Sequence, residues 1–116
     1  MNYKDRDIYQ KAIKFSISII DQTNKLPKSF SNMVISRQLI RSSTSIGANI
    51  AEGSAGVSRK EFINYLNIAR KSAIESEHWL NLLIELGFSQ FQKFISECTE
   101  IIKILTVIIK NSKKNQ

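Results

Sequence analysis

Helix-breaking residues are confined to three short stretches of this chain, and between them apolar side chains recur at helical spacing. The breaks are Lys25-Leu26-Pro27-Lys28-Ser29, Glu52-Gly53-Ser54-Ala55-Gly56-Val57-Ser58 and Leu86-Gly87-Phe88-Ser89, which hold the single proline and three of the four glycines. Proline removes a backbone donor and glycine loosens the backbone, so both tend to end helices. Three breaks leave four segments, expected as helices over about 5–24, 32–52, 59–86 and 90–111.

In the first segment Ile8, Ala12, Phe15 and Ile19 keep helical spacing, with Ile13, Ile17 and Ile20 widening the face. Residues Phe15 to Ile19 also alternate like a strand, but their flanks hold the longer period, which favours helix. The second segment carries Ile35, Leu39, Ser42, Ile46 and Ile50 around a run of small residues, Ser42 to Ala48. These are mediocre helix formers, and their value is the close approach of a neighbouring helix. The third opens with Ser58-Arg59-Lys60-Glu61, a capping box, and stops at Gly87, the expected C′ residue. The fourth opens with Ser89-Gln90-Phe91-Gln92, which reads as a second capping box, and carries Phe94, Cys98, Ile101, Leu105 and Ile109. Four amphipathic helices with short joints predict an all-α fold, an antiparallel up-down four-helix bundle.

A chain of 116 residues suits one domain, residues 1–116, and buries enough surface to need no disulfide or metal. Cys98 is the lone cysteine and cannot pair within the chain, which points to a reducing compartment and makes the cytoplasm the expected location. The opening MNYKDRDIYQ is charged where a signal peptide needs an apolar core, and the most apolar run, Ile101 to Ile109, is interrupted by Lys103 and Thr106. Neither secretion nor a membrane partner is expected.

Little in the sequence suggests catalysis. Glu75 and His78 have the Glu-x-x-His spacing of bundle di-iron sites, but such sites need two copies and His78 is the only histidine. Cys98 sits on an apolar stripe without an adjacent base, and the stretch Gly47 to Gly53 lacks the lysine of a phosphate-binding loop. The expectation is therefore no enzyme, no catalytic residue, no metal and no cofactor. A metal enzyme using Glu75, Glu77 and His78 is the weakest of three readings. Arg41, Asn49 and Glu52 on the second helix face Arg70, Glu75 and Glu77 on the third, which reads as a structural set fixing helix register. Arg41 would meet Glu75 and Glu77, and Glu52 would meet Arg70 or the start of the third helix.

The net charge of +7 is unevenly spread: residues 1–30 and 88–116 carry +3 each, 31–56 carry +1 and 57–87 carry none. Lysine-rich terminal helices on a chain of pI 9.7 suit contact with phosphate backbones. Lys4, Lys11, Lys14, Lys103 and Lys110 are the candidate nucleic-acid-binding residues.

The run Gln38 to Gly53, followed by Ser58-Arg59-Lys60-Glu61-Phe62 and by Leu66 to Glu77, resembles the bacterial 23S rRNA-intervening sequence proteins. The same family includes the accessory variability determinant of diversity-generating retroelements. The resemblance implies a four-helix bundle that assembles with itself into a homo-oligomeric ring, a pentamer in characterised relatives, with no established enzymatic activity. The retroelement member is a basic scaffold that binds nucleic acid and a reverse transcriptase. Relatives often carry more basic residues just after the position of Gly53, where this chain has Ser54-Ala55-Gly56-Val57, so a nucleic-acid contact at that loop is disfavoured. The leading expectation is a non-enzymatic oligomeric scaffold binding RNA or DNA backbone. The alternative is a protein-interaction adaptor serving a reverse transcriptase or another neighbour-encoded protein.

Overall fold

Pro27 closes the first joint through its own carbonyl: the Asn32 side-chain amide donates to it at 2.8 Å. The Ser29 hydroxyl meanwhile accepts from the Asn32 backbone N–H at 3.1 Å. Ser29 is thus the N-cap of the second helix, which begins at Phe30, two residues before the apolar stripe suggests. The computed structural model describes residues 6–56 and 58–114. Its elements are α1 (Asp7–Asn24), α2 (Phe30–Ala55), α3 (Arg59–Glu85), a 3-10 turn (Ser89–Phe94) and α4 (Ile95–Lys114). Each helix packs on the next and α4 returns to α1, closing an antiparallel up-down four-helix bundle of 47 × 20 × 19 Å.

Two expected boundaries are overturned. Gly53 was expected to break α2, yet the helix runs through it to Ala55. A Cβ at Gly53 would stand 2.9 Å from the Tyr65 Cβ and 3.3 Å from the Phe62 carbonyl oxygen, so this glycine is where α2 and α3 come closest. The actual stop is Gly56, whose extended backbone leaves the helix. The second capping box does not form either. Ser89 opens a 3-10 turn rather than capping a helix, and α4 starts at Ile95. Phe91 and Phe94 explain this: a three-residue turn stacks positions i and i+3 on one side, and both rings enter the core.

The other signals take the expected form. The Ser58 hydroxyl accepts from the Glu61 N–H at 3.1 Å. Gly87 adopts φ +102°, with its N–H on Ile84 O and the Phe88 N–H on Leu83 O, a Schellman ending of α3. Residues Phe15 to Ile19 are helical. One core runs the length of the bundle, with Phe15, Leu39, Ile50, Leu66, Leu80, Phe91 and Leu105 fully buried. Ile17 and Ile20 do not join it; they are 62% and 37% exposed, because the buried arc of α1 is centred on Ala12, Phe15 and Ile19.

Candidate nucleic-acid interface

The helical repeat places the candidate lysines on different surfaces. At about 100° per residue, Lys103, Lys110 and Lys114 fall on the side of α4 opposite buried Cys98, Ile101 and Leu105. All three are exposed, as is Val107 among them. Lys110 and Lys113 also share a shallow cleft of about 270 Å³ with Arg70, Asn67, Thr106 and Ile109, which has no carboxylate in its lining among the described residues. Arg70 is held there by its Nε donating to Thr106 Oγ1 at 2.8 Å. None of these cations forms an ion pair among the described residues.

Lys11 and Lys14 sit elsewhere, at the seam between α1 and α4, beside Glu97 and Glu100. Lys11 Nζ meets Glu100 Oε1 at 2.6 Å. That hydrogen bond, and the carboxylate charge behind it, hold the Lys11 ammonium above its usual range. Lys4 lies outside the described residues. The five candidates therefore form no single patch among the described residues. Arg70 and Lys113 join the α4 cations in their place; Lys113 follows from its three-residue spacing to Lys110, whereas Arg70 comes from the neighbouring helix and has no local signal.

The signature residues form a polar seam between α2 and α3. Arg41 Nη2 meets Glu75 Oε2 at 2.7 Å, and Trp79 Nε1 donates to the same oxygen at 2.9 Å. Deeper in, the Ser42 and Ser76 hydroxyls lie 2.8 Å apart, and Ser72 Oγ donates to Ser45 Oγ at 3.2 Å. Asn49 stays within its own helix, donating to Ser45 O and Oγ at 2.8 and 2.9 Å. Two expected pairings are corrected. Glu77 cannot face α2 together with Glu75, because residues two apart on a helix point to different sides; it accepts from Thr99 Oγ1 of α4 at 3.4 Å. Arg70, seven residues before Glu77 and so on the same face of α3, turns to α4 as well. Glu52 is exposed and meets neither Arg70 nor another partner among the described residues. The serines, read in sequence as packing residues, prove also to be the hydrogen bonds of the seam.

His78 packs edge-on against Trp79, with ring centroids 4.7 Å apart, while Glu75 and Glu77 are engaged as described. Among the described residues no group of three His, Cys, Asp or Glu side chains converges as a metal site would require. Cys98 is buried, donating to the Ala73 carbonyl of α3 at 3.1 Å. Burial pushes its thiol up to about 12, so at neutral pH it is a protonated core residue. No described helix is long and apolar enough to cross a membrane.

A bundle with this seam matches a known family over most of its length. The model of the 23S rRNA-intervening sequence protein covers residues 4–107. The chain belongs to this family. A crystal structure of a protein of unknown function from the S23 ribosomal protein family of Bacteroides thetaiotaomicron VPI-5482 is similar, with 40% sequence identity and a TM-score of 0.83. The match covers 95% of this chain and 99% of that one. No match is found among curated proteins. Neither the name of the intervening sequence family nor that of the solved neighbour carries a catalytic activity.

Proposed function

We propose that the protein is a non-enzymatic, self-associating scaffold that binds nucleic acid along the outer face of α4. The observation that carries this reading is the row Lys103, Lys110 and Lys114, continued by Lys113 and Arg70, with no ion-paired carboxylate among the described residues. Unpaired ammonium groups release the counterions of a phosphate backbone without first breaking an internal bond. Lys11 contributes less, because Glu100 already holds it. The test is fluorescence anisotropy with structured RNA and single-stranded DNA across a salt series. Four phosphate contacts give a log–log slope of about −3 on single strands. Lys103→Gln with Lys110→Gln lowers affinity for all sequences alike and flattens the slope on single strands by about 1.4. Binding that ignores salt would overturn the reading.

A second reading, a protein-interaction adaptor serving a reverse transcriptase or another neighbour-encoded protein, is supported by a different surface. A cleft of about 960 Å³ at the turn between α1 and α2 is lined by Leu26, Pro27, Met33 and Ile40, with Lys28 and Arg37 at its rim. Phe30 beside it is 79% exposed. Exposed apolar side chains of this size mark contacts with other chains, copies of the same chain included. Co-purification with a neighbour-encoded protein, abolished by Met33→Asp, supports the adaptor. Light scattering that gives a monomer mass would remove the self-association.

A further inference from the structure

The end of the bundle where α1 and α3 begin and α2 and α4 finish carries a second basic concavity, of about 350 Å³. Two guanidinium groups line it: Arg6, the residue before α1, and Arg59, the first residue of α3. Ser112 of α4 adds a hydroxyl, and Gly53, Ser54 and Gly56 form the α2 side. No carboxylate of the described residues is in the lining. The first turns of α1 and α3 do carry Asp7 and Glu61, but Glu61 packs instead against Gly56, where a Cβ would stand 2.9 Å from its Oε2.

Three features make this an anion site rather than a dent. The Arg6 Nε is buried and finds no hydrogen-bond partner among the described residues. Buried donors are nearly always satisfied, so this covered one gains a partner if the side chain shifts to meet an acceptor in the concavity. The Arg6 guanidinium is also held in place, its Cζ 5.0 Å from the centroid of the Phe62 ring. Finally, the concavity lies at the first turn of α3, whose N–H groups lack intrahelical acceptors; the last turn of α2 brings its carbonyls to the same place, so the guanidinium groups rather than a helix dipole supply the positive charge. A guanidinium offers a planar fork of donors matched to two phosphate oxygens.

We propose that this concavity anchors one phosphate group of a bound nucleic-acid backbone, held between Arg6 and Arg59 with the Ser112 hydroxyl as a further donor. The inference rests on the nucleic-acid reading above and adds a defined anchor at the bundle end, separate from the α4 row. It also reverses the expectation that the loop after Gly53 is a poor contact for lack of charge: the cations come from Arg6 and Arg59, which fold beside it.

The experiment uses the full chain in two arms. In the first, inorganic phosphate is titrated while backbone amide NMR shifts are followed; saturable shifts are expected at Ser54, Gly56 and Arg59, and their loss in Arg6→Gln with Arg59→Gln. In the second, single-stranded RNA binding is measured by anisotropy. The same double variant should weaken it roughly tenfold and flatten the salt slope by about 1, since one phosphate contact is lost. An unchanged circular dichroism melt establishes that the variant is folded, and Arg6→Lys with Arg59→Lys, which keeps charge but not the fork, should restore the binding only in part. RNA binding by the double variant equal to that of the parent overturns the anchor while leaving the α4 row intact. Absence of salt-dependent RNA binding by the parent protein overturns the nucleic-acid reading itself, whatever the phosphate arm shows.

Discussion

Replacing Gly53 by alanine should destabilise the protein, although the same change at Gly47, also inside α2, should stabilise it. Alanine is favoured over glycine in a helix interior by about 1 kcal/mol, so on propensity alone both substitutions gain. The structure separates them by what the new methyl meets. At Gly47 its neighbours are Ile13 Cδ1 at 3.7 Å and Ala12 Cβ at 3.8 Å, ordinary van der Waals contact with α1. At Gly53 it meets the Tyr65 Cβ at 2.9 Å and the Phe62 carbonyl oxygen at 3.3 Å. Neither of those atoms is the far end of a flexible side chain, so α2 and α3 must move apart. Overpacking of this kind costs about 1–3 kcal/mol, which outweighs the propensity gain and leaves a net loss of about 1 kcal/mol. Urea unfolding followed by circular dichroism measures both variants, and in thermal melts the two midpoints should move by about 3–6 °C in opposite directions. Gly53→Ala as stable as the parent would refute the claim that this glycine sets the approach of the two helices.

The buried serine pair gives a double-mutant test: Ser42→Ala and Ser76→Ala should each cost about 1 kcal/mol, and the double variant less than their sum, because the bond between the two hydroxyls is lost only once. Additive losses would mean that the two hydroxyls do not bond. The buried thiol predicts a pH dependence of known sign. Its folded-state value of about 12 lies above the ordinary 9.0, so its contribution to stability is full below pH 9.0 and is lost as pH rises from there towards 12. The decline should approach about 1.4 kcal/mol per pH unit and be missing in Cys98→Ala; equal slopes in the two proteins would contradict the burial argument.

What the sequence made legible follows from how local each cause is. Ser58 and Gly87 announce helix ends because a cap hydroxyl and a left-handed residue act within a few positions of themselves. Gly53 misleads for the opposite reason. The atoms that require it, on Tyr65 and Phe62, lie nine or more residues away and meet it only after the chain folds back. The Ser89 capping pattern likewise lost to the burial of Phe91 and Phe94, a tertiary demand that overrode a local one. On the candidate site, counting charge by segment located the basic helices but not their faces. Lys11 and Lys103 have the same composition value, yet one is held by Glu100 and the other faces water.

The separation of seam from surface bears on where function resides in this family. Ser42, Ser45, Ser72 and Ser76 bond to each other and to the backbone of their own helices, and Arg41 is engaged by Gln38 and Glu75, so these polar groups serve the fold. They register α2 against α3, a task that truncating one partner would expose through the orphan it leaves. The lysines of the α4 row and Arg59 form no ion pair among the described residues, whereas Arg6 stacks on Phe62 and Arg70 donates to Thr106. The α4 lysines are exposed, at positions whose substitution leaves the core untouched, so binding can change there without refolding. If this division holds, Arg41→Gln should lower the melting temperature and leave the salt slope of nucleic-acid binding unchanged, while Lys110→Gln should do the reverse. A slope that falls with Arg41→Gln would place the seam in the interface and end the distinction.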